Sequence, residues 1–388
     1  MAKFKQRGKT WSYHVYLGID PLTKKRLEIS KGGFKTKKEA QAAARVIELD
    51  KENGTLVKDS KLSFEQFTKD WLKTYSRSGV KISSVRAREK EVKHFISVWG
   101  PFKISQITKK MYQDRMLDLS EKYSKNYMDG IAATGRMIFR QAVELGIMKI
   151  NPTENFKLPK QQTKVEDLES AEEKIKYLEK EELAHFLKTT QSEGLEMDVE
   201  VFTTLSYSGL RIGELLALKW SDFNDKKGTL RVTKTLYNPN NNFEGYQLLT
   251  PKTKGSVRTI KIDDHLVNLL KKHRIKQNEI KLKNRLIYKD SGFIFARDDG
   301  HPQLRKVIET RLKRLLNKSG IEKNITPHSF RHTHTSLLIE AGVGIKEIQQ
   351  RLGHTDINTT MNIYAHMTAN MEEKASQQFS KLMKDLLI

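Results

Sequence analysis

The chain runs to 388 residues, enough for two or three domains with a substantial core. Its 71 Lys and Arg against 47 Asp and Glu leave a formal charge of +24, well beyond the magnitude of roughly 2–8 that solubility asks of a small domain, and point to a polyanionic partner, nucleic acid first. No cysteine is present, which excludes disulfides, thiolate metal sites and a cysteine nucleophile. No stretch approaches the ~18 apolar residues of a membrane span, and the basic N-terminus runs into Trp11-Ser12-Tyr13-His14 rather than a signal-peptide core. A soluble, cytoplasmic chain with no membrane attachment is expected.

Residues 1–57 read as a small β-sheet followed by a helix. Trp11, Tyr13, Val15 and Leu17 alternate with Ser12, His14 and Tyr16, the pattern of a strand with one buried face. Asp20-Pro21-Leu22-Thr23 is turn chemistry, Arg26–Ser30 supplies a further strand, and Gly32-Gly33 is expected to break it. Thr36 with Glu39 predicts a capping box and a helix to about Asp50. The first fifty residues hold twelve Lys and Arg against five Asp and Glu, so this module is either a cap on the rest of the chain or a basic three-stranded sheet laid in a major groove. Trp11, Lys24, Lys25 and Arg26 are its candidate DNA contacts.

Residues 61–160 are predicted all-helical. Ser63 and Gln66 form a second capping box. A helix from about Ser84 to Trp99 places Val85, Val92, Phe95, Ile96 and Trp99 on one stripe and Arg86, Arg88, Lys90 and Lys93 mostly off it. Tyr127, Ile131, Thr134 and Ile138 mark another helix, stopped near Gly146 ahead of Asn151-Pro152. Residues 161–176 are charged and poor in apolar side chains, which suits a linker. Residues 177–388 form a third, mainly α domain with a small antiparallel sheet: strands are expected at 229–235, 247–250 and 257–262, the last two joined as a hairpin through Thr250-Pro251-Lys252-Thr253-Lys254-Gly255-Ser256-Val257-Arg258.

Three motifs stand in this third domain. Ser208-Gly209-Leu210-Arg211-Ile212-Gly213-Glu214 comes first, then Thr326-Pro327-His328-Ser329-Phe330-Arg331-His332-Thr333-His334. Leu352-Gly353-His354 follows, with Tyr364 ten residues on in Asn362-Ile363-Tyr364-Ala365-His366. Two arginines, two histidines and a tyrosine with no acidic cluster beside them are suited to moving a phosphodiester onto a phenol. A guanidinium stays charged and binds phosphate oxygens in pairs. His328 and Arg331 share a helix face at i, i+3, so a neutral imidazole can take the proton of a phenol of pKa ~10. In order and spacing the set resembles the tyrosine recombinases, the phage-integrase family, over essentially the whole chain.

The resemblance implies a multidomain fold: an arm-type DNA-binding domain, a helical (SAM-like) core-binding domain and a catalytic domain. It implies site-specific cutting and rejoining of DNA through a 3′-phosphotyrosyl link and a Holliday junction, as in a heterobivalent integrase of a phage or integrative conjugative element. In it Arg211 and Arg331 clamp the scissile phosphate and His328 is the acid/base. His354 bonds the phosphate, Lys252 protonates the leaving 5′-oxygen and Tyr364 is the nucleophile, while Glu214 orients Arg211. Lys254 is the lysine most easily confused with Lys252, and Lys254 and Arg258 are expected DNA contacts. A homotetramer on double-stranded core-type and arm-type DNA, aided by a DNA-bending or directionality factor, follows from the same likeness. Phe379, Leu382, Met383, Leu386 and Leu387 at helical spacing predict a tail helix with one apolar stripe, covered either by its own catalytic domain or, as the resemblance implies, by the neighbouring protomer.

Other readings remain. His328 and His332 at i, i+4, with His334, His354 and His366 near, could hold zinc, but the chain lacks His-Glu-x-x-His and clustered carboxylates, and neither metal nor cofactor is expected. A dimer-resolving recombinase would lack the N-terminal module. A DNA-binding regulator on the same fold would have no need of Tyr364 or Lys252.

Overall fold

The computed structural model describes residues 2–19, 24–52, 62–159, 177–251 and 254–353, with Met361 and Met383. The chain divides into two compact units, residues 1–163 and 164–388. The turn at 20–23, the linker, Lys252, His354, Tyr364 and the side chains of the tail stripe other than Met383 lie outside the described residues, as does the side chain of Lys254.

The first unit opens with an antiparallel sheet in the order β1 (Lys3–Arg7), β2 (Thr10–Ile19), β3 (Arg26–Phe34). Sequence alternation places Tyr13 and Val15 inward, where they meet Ala44 of α1 (Lys37–Glu52). The outward parity carries Lys3, Lys5, Arg7, Tyr16 and Arg26, all exposed, with the Arg26 guanidinium 5.3 Å over the Tyr16 ring. Two expectations change here. Gly32-Gly33 does not break β3, which runs to Phe34 with Gly33 at φ +92°, a conformation a side chain would resist. The box at Thr36 is shifted, because the Glu39 carboxylate accepts from the N–H of Lys35 while Thr36 Oγ1 accepts from Glu39 N.

Four helices follow: α2 (Phe64–Arg77), α3 (Ile82–Trp99), α4 (Lys109–Ser120) and α5 (Lys125–Glu144). The Ser63–Gln66 capping box is present in both directions. The apolar stripe of α3 meets α2 and α5 through aromatic packing, Phe95 stacked on Trp99 at 5.3 Å and Phe64 edge-on to Trp99 at 5.8 Å. Arg88 departs from its expected outward place. It turns in to Glu91 at 2.8 Å and donates to the carbonyl of Gly130 at 3.0 Å, and Glu91 also accepts from the Thr134 hydroxyl. Gly130 leaves space for this cluster, since a Cβ there would stand 2.6 Å from Glu91 Oε1 and displace that carboxylate.

In the second unit α6 (Lys180–Glu193), α7 (Asp198–Ser208) and α8 (Ile212–Leu216) precede the sheets. β4 (Phe223–Asn224), β5 (Thr229–Val232) and β8 (Arg258–Lys261) form one sheet in the order β4-β5-β8, and β6 (Thr235–Tyr237) pairs with β7 (Gln247–Leu249) in another. The expected strand 229–235 is therefore split between two sheets, and the expected lysine hairpin is not one: its flanking strands, β7 and β8, pair with different partners. Then come α9 (Asp264–Lys283), α10 (Arg305–Lys318), α11 (Ser329–Glu340) and α12 (Ile345–Leu352). Phe186, Phe202, Leu205, Leu215, Leu230, Leu270, Leu315 and Phe330 are among the residues of their shared core.

The buried pair in the helical bundle makes a test. Arg88→Met leaves Glu91, whose side chain is 7% exposed, as an uncompensated buried charge. The expected loss is about 3 kcal/mol in urea unfolding, whereas Lys110→Ala, which breaks the exposed pair with Asp114, should cost under about 0.5 kcal/mol.

Candidate active site

The site begins where α7 ends. Gly209 caps that helix at φ +62°, and a Cβ there would lie 2.7 Å from both His334 and Leu352, so only glycine fits the close approach of three elements. The chain then turns, and Arg211 becomes the N-cap of α8. Its backbone N–H donates to Glu214 Oε2 at 3.1 Å and its Nη1 to Glu214 Oε1 at 2.9 Å. The Arg211 side chain keeps 39% exposure and lines a cleft of about 1210 Å³ with His328, Arg305, Lys306 and Lys313.

Arg331, from the first turn of α11, reaches the same place from beneath and is 1% exposed. Nη1 donates to the carbonyl of Gly209 at 2.9 Å and Nη2 to that of Leu352 at 2.6 Å. Burial, then the charge of Arg211, pushes its pKa down to about 9. His328, the N-cap of α11, keeps an exposed edge on the cleft and packs edge-to-face on His332 at 4.8 Å. Desolvation of its inner side, followed by His332, Arg331, Arg211 and Arg305, pushes its pKa down to about 4, so the ring is neutral at pH 7.

Glu214 is 3% exposed. Burial alone would raise its pKa, but the hydrogen bonds and charge of Arg258, with Arg211 behind, overrule that and hold it below the usual carboxylate range. Arg258 is the surprise. Expected to face DNA, it is a buried strut with a side chain 6% exposed, forked onto Glu214 at 2.9 and 3.3 Å. The signal was present in the sequence, since Arg258 shares strand parity with the inward Ile260. Trp11, another expected contact, has the helix-facing parity of Tyr13 and lies under the Lys37 ammonium at 5.6 Å. Lys24, Lys25 and Arg26 are exposed.

Sequence offered His334 as a candidate zinc ligand, and no motif marks Arg351. Arg351 donates from Nε to His334 Nε2 at 3.0 Å, so the histidine proton sits on Nδ1, which donates to the Ser206 carbonyl at 2.8 Å. Arg351 also holds the carbonyls of Lys261 and Tyr207. Arg258 and Arg211 both pair with Glu214, and with Arg331 close behind positive charge exceeds negative beside the cleft, which suits an anion that gains charge as it reacts. Among the described residues no group of three or more His, Asp and Glu gathers as a metal site would need.

This arrangement of a basic cleft on a helical domain with small sheets is that of the tyrosine recombinases. Residues 176–371 match the phage integrase family, and residues 2–51 match an arm DNA-binding domain. The prophage ps2 probable integrase of Lactococcus lactis is 32% identical over 91% of this chain and 92% of its own length. The ICEBs1 integrase of Bacillus subtilis is 26% identical over 99% and 100%. Among solved structures, the Tn1549 transposon integrase with transposon right end DNA shares the fold at a TM-score of 0.62 and 24% identity, covering 81% of this chain and 100% of that one. A lambda integrase dimer bound to a core site does so at 0.55 and 17%, over 78% and 95%. The chain belongs to the phage integrase family. It is a tyrosine-type site-specific recombinase, an integrase with a DNA-binding arm domain.

His334 supplies a pH signature. Burial, then the charge of Arg351, pushes its pKa from the ordinary 6.5 to about 4 in the folded chain. The unfolded chain therefore binds the extra proton between those values, so this contribution to stability is whole above about pH 6.5 and drains as pH falls toward 4. The melting temperature should drop on acidification from pH 7 to 5, and His334→Gln should flatten that slope even at a lower baseline.

Proposed function

We propose that this integrase cuts DNA by attack of the Tyr364 phenolate oxygen on the scissile phosphorus. A 3′-phosphotyrosyl bond forms, the bond to the 5′-oxygen breaks, and the energy is kept for religation without cofactor or metal. His328 takes the phenolic proton, Lys252 returns one to the departing 5′-oxygen, and His354 adds a hydrogen bond to the phosphate. Arg211 and Arg331 neutralise the charge that builds on the non-bridging oxygens. The observation that carries this reading is that Arg211 and His328 line one cleft while Arg331, from α11, lies buried close behind them.

In the wider reaction four protomers hold two duplexes and exchange strands pairwise through a Holliday junction, moving a mobile element into and out of a chromosome. Residues 1–57 hold arm-type DNA through the outward face of Lys3, Lys5, Arg7 and Arg26, with Lys24 and Lys25 beside it, and an accessory bending or directionality factor shapes that DNA. Lys254 contacts the backbone near the cut.

The test is a nicked suicide substrate with the full chain. Tyr364→Phe should bind the core site and form no covalent adduct, and an adduct from that variant would sink the assignment. Arg211→Ala and Arg331→Ala should each slow cleavage by on the order of 10²–10⁴. Lys252→Ala should recover on a substrate with a 5′-thiol leaving group. Recovery of Lys254→Ala in its place would transfer the role, and cleavage lost in EDTA would overturn the mechanism. Site binding with no adduct from the unaltered chain would leave a DNA-binding regulator. Deleting residues 1–57 should block recombination of a full attachment site while core-site cleavage survives.

A further inference from the structure

One guanidinium joins three stretches of the site that sequence keeps apart. Arg258 forks onto both oxygens of Glu214, the carboxylate that also holds the backbone and side chain of Arg211. Its Nε donates to the carbonyl of Arg351 at 2.8 Å, while Arg331 takes the next carbonyl, that of Leu352. Its Nη1 donates at 3.2 Å to the carbonyl of Ser256, in the connection that begins at Thr250 and carries Lys252. Gly353, at φ +66°, packs closely against it: a Cβ there would press at 3.2 Å on Arg258 Cδ and 3.3 Å on Nη1. The chain leaves that glycine directly into His354 and, ten residues later, Tyr364.

We propose that Arg258 is a positioning residue of strand cleavage: it fixes Arg211 through Glu214. Lysine has one compact ammonium and cannot reproduce four donors in a plane to three separate acceptors. Solvent does not compete for this fork, because both side chains are almost wholly covered, so the geometry of Arg211 is inherited from Arg258 rather than found anew in each turnover. The inference rests on the catalytic reading above, in which Arg211 meets the scissile phosphate.

The experiment compares two nicked core-site substrates at saturating DNA, one with an ordinary scissile phosphodiester and one with a methylphosphonate. The methylphosphonate replaces a charged non-bridging oxygen by methyl, so its transition state asks less of the arginine clamp. Arg258→Gln should bind the core site within about twofold of the unaltered chain and lose on the order of 10²-fold in adduct formation on the phosphodiester. On the methylphosphonate its loss should shrink to about threefold or less, the pattern also expected of Arg211→Ala. Arg258→Lys, which keeps the charge, should show a smaller loss with the same sparing, and it carries the test if Arg258→Gln melts too low to assay. Equal losses on the two substrates would mean that Arg258 only supports the fold and would overturn the proposal, as would an undiminished rate on the phosphodiester. Failure of the unaltered chain to form an adduct on either substrate would instead remove the catalytic reading and this inference with it.

Discussion

A carboxylate buried to 3% exposure is costly unless its charge is answered, and Glu214 is answered twice, by the fork of Arg258 and by Arg211. That requirement ties together three stretches of chain: the turn after α7, the start of β8 and, through Arg258, the end of α12. The compensation overshoots. With Arg331 close behind, positive charge exceeds negative in a site closed to water on its inner side, and an anion entering from the cleft would relieve it. A pocket built for structure alone would balance its charges. This one is left unbalanced where a phosphate would sit.

Arg331 shows how backbone carbonyls can serve a cation that is almost fully buried. Its two terminal nitrogens point at the carbonyls that close α7 and α12, the two helix ends marked by Gly209 and Gly353 in left-handed conformation. Helix C-termini carry partial negative charge and unsatisfied carbonyls, so each end gains a cap and the guanidinium gains two acceptors. The same donors fix the distance between the helix that leads into Arg211 and the helix that leads into His354. Arg351 repeats the device nearer the surface, where it holds the Lys261 and Tyr207 carbonyls beside His334.

The N-terminal unit uses its charge differently. Its basic side chains stand on the outward parity of a small sheet whose inner parity is covered by α1, which leaves Lys3, Lys5, Arg7 and Arg26 in water. Exposed lysines and arginines of this kind gain little from one another and much from a polyanion. In the bundle that follows, Arg88 is drawn inward because Glu91 and Thr134 need a donor, and a basic helix of ordinary appearance thereby acquires a polar core contact.

Much of this was legible in the residues. Alternation at Tyr13 and Val15, the Ser63–Gln66 box and the stripe ending at Trp99 each mark elements whose periodicity is set by contacts a few residues apart, and local geometry realises them directly. The candidate arginines, His328 and Glu214 were legible because motif spacing on a turn or helix start fixes which side chains share a face. The pairing of β7 with β6 and of β8 with β5 was not legible, because strand partners are chosen by packing across the sheet rather than by the turn between neighbours in sequence. Nor was the inward place of Arg258 read, although its parity with Ile260 allowed it. A guanidinium is assigned to water until the carboxylate that answers it, 44 residues away at Glu214, is brought beside it. The amino-acid sequence by itself determined which elements form and which functional groups are available. Only the tertiary structure decided which charges are buried together, because the cost of removing an ion from water can be met only by partners that folding delivers from elsewhere in the chain.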